Sequence, residues 1–200
     1  MPRVPATVLA VDLSSGGVSA TLFRRDLTPL RSTRLEWDFV PDSSGRETLS
    51  PAFVWAQTGA AIRCCMQNMA PPDVIALSSM MHTLVLTDRE GIALSPVYTW
   101  MDSEHSEFIN EVAAQLGTGY CHRTGAYVHP SFPAIKLARL QKDDPDVLAD
   151  THRIVSIKAF VGAHLTQRWA EDVSTASASG LLDLKAGAWD RLTLEALRIE

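Results

Sequence analysis

The sequence has few cysteines, and they are badly placed for structural chemistry. Two of the three, Cys64 and Cys65, are adjacent, and Cys121 stands alone. There is no CxxC motif and no Cys/His spacing typical of a metal site, so a disulfide framework and a zinc module are both excluded. Free thiols are typical of a reducing compartment, and we therefore expect a cytoplasmic protein.

Long hydrophobic runs and basic clusters are also missing. The first apolar run is short and is interrupted by Asp12, so we expect neither a signal peptide nor a membrane partner. The net charge is −5, from 18 basic and 23 acidic residues, and the basic residues are scattered. This argues against a surface for nucleic acid.

The remaining composition is that of a globular protein. Two hundred residues, 46% of them hydrophobic, suffice for one domain or two small ones. Apolar runs and turn residues predict strands at Thr7–Val11, Val18–Arg24, near Leu30–Trp37, Val74–Leu77 and Thr83–Thr87. Ser50-Pro51 predicts the start of a helix that runs to about Asn68. This order predicts an α/β fold in which a mixed sheet of about five strands carries helices on both faces.

The sequence predicts mainly helices in the second half of the chain. We expect helices over Glu104–Leu116, from Ser131 and Pro133 onward, and after the caps Asp144 and Ser156, with a short strand at Arg153–Val155.

The stretch from Val74 to Asp102 brings together side chains that suit a polyhydroxylated ligand. Two predicted strands deliver His82 at one end and Trp100 with Asp102 at the other. An indole face stacks on C–H groups, and an imidazole and a carboxylate fix hydroxyls. The alternative is a core strand pair with a satisfied histidine and a packed tryptophan, and the residues alone leave it open.

A second candidate site lies at the turn after the first strand. Asp12 ends that strand, and Ser14, Ser15 and two glycines follow. A carboxylate there can hold a Mg²⁺-bound water while turn N–H groups face phosphates. An ordinary hairpin turn explains the same residues.

Several motifs, in the same order along the chain, resemble the FGGY family of carbohydrate kinases, in particular its gluconate kinase-like branch. The matches run from about Val8 to Ile199 and include Ser79–Met80–Met81–His82, Trp100–Met101–Asp102, Arg123-Thr124-Gly125, His129-Pro130 and Asp172 to Leu181. The sequence departs from the family pattern where Glu104 replaces an arginine. In the phosphate turn Ser14 replaces a glycine, Gly16 a hydroxyl residue and Ser19 a basic residue.

The resemblance implies a ribonuclease H-like domain of the actin and hexokinase type. It implies a transferase that uses ATP and Mg²⁺ to phosphorylate a terminal hydroxyl of a sugar or sugar acid, of gluconate or ketose type. Substrate-binding residues would be Met81, His82, Trp100 and Asp102. Cofactor-binding residues would be Asp12, Ser14 and Ser15, with Asp12 also the metal ligand.

The resemblance also implies that residues 1–200 are the N-terminal, sugar-binding domain. The catalytic base is expected beyond Glu200, together with the second domain that holds most of the ATP site. A homodimer is left open. Lys136 is expected to be a solvated helix charge rather than a ligand for a sugar-acid carboxylate, His129 a loop contact, and Asp172 a helix cap.

Two other functions stay open at this point. One is a sugar-binding module without catalytic activity, suggested by the altered phosphate turn and by Glu104. The other is a structural or regulatory member of the actin-like superfamily.

Overall fold

The computed structural model describes residues 6–42, 45–101 and 106–199. In chain order, the elements are β1 (Thr7–Ser14), β2 (Gly17–Arg24), β3 (Pro29–Glu36), β4 (Val40–Pro41), β5 (Glu47–Leu49), α1 (Pro51–Met66), β6 (Val74–Ser79), β7 (Val85–Thr87), β8 (Val97–Tyr98), α2 (Ser106–Leu116), α3 (Tyr120–Thr124), α4 (Pro133–Asp143), α5 (Pro145–Asp150), β9 (Arg153–Val155), α6 (Ile157–Thr166), α7 (Val173–Ser177), β10 (Leu182–Asp183), β11 (Ala188–Trp189) and α8 (Arg191–Ala196). They divide into two compact units.

The first unit comprises residues 6–39 and 50–80 and contains the main sheet. Its strand order is β3-β2-β1-β6, with β6 parallel to β1 and the other pairs antiparallel. Alternate residues of β1, which are Leu9, Val11 and Leu13, are buried, as expected for a strand with period two. The predicted α/β class and mixed sheet are therefore confirmed.

Helix α1 covers part of this sheet and packs mainly on β2 and β3. It begins as the sequence predicts, because the Ser50 hydroxyl accepts a hydrogen bond from the Phe53 amide and Pro51 occupies the first turn. It ends at Met66, two residues before the predicted end. Asn68 adopts a positive φ of 60°, which is incompatible with continuing a right-handed helix.

Strand β6 forms one edge of the sheet. Within the described ranges no strand pairs with its outer side. Val74 and Ile75 are 45% and 42% exposed. Because neighbouring strand residues point to opposite faces, both faces of β6 are open at this end.

The second unit comprises residues 40–42, 45–49, 81–101 and 106–199. It contains the small sheets β4-β5-β8, β7-β9 and β10-β11, and a core built mostly from α2, α3 and α4 around Leu84 and Leu86. The predicted fifth strand is found here, shortened to β7, and it pairs antiparallel with β9. The expectation that it joins the main sheet is wrong, since its partner comes from about 70 residues later in the chain.

Most helix starts in this unit follow the sequence. Ser156 caps α6 by accepting from the Ala159 amide, and Asp144 caps α5 by accepting from the Val147 amide. Helix α2 is described from Ser106, and its predicted start at Glu104 lies outside the described residues. Within the described residues, no helix is both long enough and apolar enough to cross a membrane.

The turn between β1 and β2 depends on Gly17, and this gives a first testable prediction. Gly17 has a φ of 147°, and a Cβ atom there would clash with the Leu35 carbonyl oxygen of β3. We expect Gly17→Ala to destabilise the protein by about 2 kcal/mol or more, measured by urea unfolding.

The matched control is Gly16→Ala in the same turn. Gly16 is exposed, and a Cβ atom there would lie 3.4 Å from an Arg34 side-chain nitrogen, which is ordinary contact. We expect a change within about 0.5 kcal/mol. Equal losses for the two variants would contradict this description of the turn.

Candidate functional site

Asp12 lies near the end of β1, between β2 and β6. Its Cα partners across the sheet are Ser19 and Ser78. Asp12 is half-buried, and its carboxylate has no hydrogen-bond or ion-pair partner within residues 6–42, 45–101 and 106–199. A partly desolvated carboxylate without a partner fits a cation or a cation-bound water.

The serine hydroxyl next to Asp12 fits a phosphate less well. Ser14 donates its hydroxyl to the Gly17 carbonyl at 2.9 Å, so this donor is already used inside the turn. Ser15 and Gly16 form the two-residue loop between Ser14 and Gly17. In the part of the chain that the structure describes, no group of three His, Cys, Asp or Glu side chains gathers as for a metal. Mg²⁺ held by one carboxylate and phosphate oxygens needs no such group.

The sugar-side candidates lie in the second unit, at one end of a short antiparallel contact. The backbones of Leu84 and Tyr98 exchange two hydrogen bonds of 3.1 and 3.0 Å. His82 precedes Leu84 by two residues and Trp100 follows Tyr98 by two, so the contact brings both to the same end.

Apolar surface is exposed around this end of the contact. Met81 and Trp100 are 49% and 46% exposed, and they are two of several large apolar side chains that this unit leaves exposed. Exposed side chains of this kind are available to a ligand with C–H faces. Asp102, the predicted hydroxyl acceptor, and Glu104 lie outside the described residues.

His82 is held in one orientation. Its backbone has a positive φ of 62°, and its Nδ1 lies 2.7 Å from the Ala178 carbonyl oxygen. Because a carbonyl only accepts, Nδ1 carries the proton and Nε2 keeps its lone pair. The ring packs edge-on against Phe132, with centroids 4.6 Å apart. Loss of solvent lowers the pKa of His82, against a raising effect of the Ala178 bond, and the nearby charges of Lys136 and His129 lower it further.

Lys136 occupies a position that the sequence reading missed. It is 2% exposed, so the expectation of a solvated helix charge is wrong. Its ammonium donates to the Pro130 carbonyl at 3.1 Å and also to the Ser131 carbonyl. The helical spacing gave no signal for this burial, because it depends on how the 130–131 turn folds back on α4.

Two further aromatic side chains were not predicted as site residues: Phe132, which contacts His82, and Tyr127, which contacts Phe132. Tyr127, 60% exposed, packs edge-on against Phe132 and His129, with centroids 5.3 and 5.4 Å apart. His82, Phe132, Tyr127 and His129 therefore form a continuous row of rings, which we call the aromatic row. Phe132, the second ring of this row, is buried and belongs to the hydrophobic core.

His82 also lines a separate groove of about 610 Å³. Its walls carry Trp169, Glu171 and Trp189, but neither Met81 nor Trp100. Burial raises the pKa of the Glu171 carboxyl, against hydrogen bonds from Ser156 and the Asp172 amide. Asp172 caps α7 by accepting from the Thr175 amide, which confirms its expected role, and it also pairs with Lys158.

The fold is that of the sugar kinases. The structure superposes on a gluconate kinase from Lactobacillus acidophilus with a TM-score of 0.87 and 21% identity, covering 98% of this chain and 40% of that one. A xylulose kinase from Rhodospirillum rubrum gives a TM-score of 0.90 at 20% identity, covering 96% of this chain and 41% of that one. The predicted ribonuclease H-like class is confirmed by this likeness.

The family follows from the sequence. Residues 7–200 match the model of the N-terminal domain of the FGGY family of carbohydrate kinases, and the chain belongs to that family. It is 26% identical over 195 residues to a gluconokinase of Bacillus subtilis, covering 96% of this chain and 37% of that protein. A glycerol kinase of Rhodopseudomonas palustris is 28% identical over 204 residues, covering 96% of this chain and 41% of that protein. The chain thus spans about two-fifths of the length of these relatives.

The environment of His82 gives a second prediction, for the pH dependence of stability. The folded state favours the neutral ring, while the unfolded chain takes up a proton near pH 6.5. The contribution of His82 is fully present above about pH 6.5 and is lost as the pH falls through its lowered pKa. We expect the free energy of unfolding to fall less between pH 7.5 and 5.5 in His82→Gln than in the wild type.

His122→Gln is the control, because His122 is exposed. It should keep the wild-type pH dependence in urea unfolding. An NMR titration that places the pKa of His82 above about 6.5 would contradict the prediction.

Proposed function

We propose that this chain is the sugar-binding part of an ATP-dependent kinase that phosphorylates a terminal hydroxyl of a sugar or sugar acid of gluconate or ketose type. The observation that carries the proposal is the oriented imidazole of His82, at the same end of the Leu84–Tyr98 contact as exposed Trp100 and Met81. Oriented polar groups beside apolar and aromatic surface are what a polyhydroxylated ligand requires. Family membership and relatives named gluconokinase and xylulose kinase support it.

Each residue has a definite role in this proposal. Trp100 supplies a face for the C–H groups of the sugar, and Met81 supplies further apolar contact. His82 accepts a hydrogen bond from a hydroxyl through Nε2, which the Ala178 contact leaves available. Asp102 accepts from two hydroxyls at once.

The proposed binding of Mg²⁺-ATP depends on Asp12. Mg²⁺-ATP, when bound, supplies the phosphoryl group and shields its charge. Asp12 fits the metal or its water, because its half-buried carboxylate lacks a partner among the described residues. Ser15 is proposed as a phosphate contact from the resemblance to the family motif, and the Ser14 hydroxyl is already bonded to the Gly17 carbonyl. The base that deprotonates the sugar hydroxyl is proposed to belong to a further part of a longer kinase, in the cytoplasm.

A second function is favoured by one observation. The Ser14 hydroxyl already donates to a carbonyl within the turn, and Ser19 stands where the family has a basic residue. Both features weaken the binding of a phosphate group. A sugar-binding module without catalytic activity would keep sugar binding around His82 and would lose nucleotide binding at Asp12. Ligand binding without turnover in a full-length protein would identify it.

Sugar binding is the third prediction. We expect gluconate or a ketose such as xylulose to bind the chain in calorimetry, and Asp102→Ala to weaken binding by about 1–3 kcal/mol, as for lost buried hydrogen bonds. Asp150→Ala, at an exposed position on α5, is the control. Unchanged affinity in Asp102→Ala would contradict the proposed contact between Asp102 and the sugar.

Activity is the fourth prediction. We expect residues 1–200 alone not to phosphorylate any sugar, because phosphoryl transfer depends on aligning donor, acceptor and base. The measurement is a coupled ADP-release assay with ATP, Mg²⁺ and gluconate, xylulose, ribulose or glycerol. Sugar-dependent ADP release that Asp12→Ala abolishes would show that the expectation is wrong.

A further inference from the structure

His129 has a fixed pattern of hydrogen bonds at its Nδ1 atom. The Ser131 backbone N–H donates to this nitrogen at 3.2 Å, and the Ser131 hydroxyl lies 2.9 Å from it. A backbone N–H can only donate, so Nδ1 holds a lone pair and the proton of the neutral ring is on Nε2. His129 therefore offers a hydrogen-bond donor at its outer nitrogen.

His82 has the opposite arrangement. Its Nδ1–H donates to the Ala178 carbonyl, and the nitrogen on the other edge of the ring is an acceptor. The two imidazoles are linked by Phe132 and Tyr127 in the aromatic row. The row thus presents an acceptor at one end, a donor at the other, and the exposed ring of Tyr127 between them.

The turn that carries His129 is held rigidly enough to keep this pattern. The buried Lys136 ammonium bonds the carbonyls of Pro130 and Ser131, which follow His129 directly. Fixing these carbonyls fixes the Ser131 amide that sets the tautomer of His129. The fold therefore fixes the Nε2–H of His129 as the hydrogen-bond donor, although the His129 side chain is exposed.

We propose that His129, with Tyr127, is a specificity-determining part of the sugar site that selects ligands with a carbonyl or carboxylate oxygen near a hydroxyl. The hydroxyl donates to His82, the carbonyl or carboxylate oxygen accepts from His129, and the carbon chain between them lies on Tyr127. The proposal rests on the proposed sugar-binding function. It favours sugar acids and ketoses over simple polyols such as glycerol, because a carbonyl or carboxylate oxygen can only accept and needs the N–H of His129, whereas a hydroxyl can also donate and is satisfied without that N–H.

The tautomers give a test that needs no activity. Long-range ¹H–¹⁵N NMR spectra of the 200-residue chain at pH 7.5 should show His82 protonated at Nδ1 and His129 protonated at Nε2. Protonation of His129 at Nδ1 would overturn the inference and leave the proposed function untouched.

Binding by matched variants tests the specificity. His129→Gln keeps an N–H donor near the Nε2 position, whereas His129→Phe keeps a ring and loses the donor. We expect gluconate and xylulose to bind His129→Phe about tenfold more weakly and His129→Gln within about threefold, since one hydrogen bond is worth about one factor of ten. Glycerol affinity should stay the same in both variants.

His122→Phe is the control, because His122 lies outside the aromatic row. If His129→Phe weakens glycerol and gluconate equally, or neither, the selectivity is wrong while the sugar site stands. If the wild-type chain binds none of the three compounds, the proposed function and this inference both fail. A larger loss for gluconate than for xylulose would identify the carboxylate as the preferred acceptor.

Discussion

The candidate sugar site depends on one buried charge. Lys136 lies on a helix whose residues from Pro133 to Leu140 are all buried, and its ammonium is taken up by backbone carbonyls of the preceding turn. A charge in such a place is costly unless it is bonded, so the turn and the helix stabilise each other. The same contact fixes the backbone beside His129 and Phe132, on which His82 packs. Removing the ammonium would thus disturb the candidate sugar site through the backbone of this turn.

Local chemistry made much of the fold predictable. Ser50-Pro51, Asp144-Pro145 and Ser156 mark helix starts through side-chain acceptors and proline, which act within three residues. The strands of the main sheet show alternation or apolar runs bounded by turn residues. The prediction for the pairing of β7 was wrong, because its partner β9 is remote in sequence and no local pattern encodes that pairing.

The placement of two candidate site residues was also predictable from local patterns. His82 and Trp100 flank two runs that the sequence shows as strands, and the Leu84–Tyr98 contact brings them to one end. His129 was predicted to be a loop contact and Lys136 a solvated helix charge, since a histidine before proline and a lysine in a helix most often have these roles. Their chemistry is set by hydrogen-bond partners, and those partners are decided by the tertiary fold.

The open edge of β6 makes protein concentration a variable that any experiment on this chain has to control. No strand of the described residues pairs with the outer side of β6, and Val74 and Ile75 are exposed on opposite faces, so this edge can accept an extended segment from another molecule. Such addition needs no particular side chain, because the backbone supplies the hydrogen bonds. At higher protein concentration the chance of such addition rises, and light scattering is the measurement that would detect it.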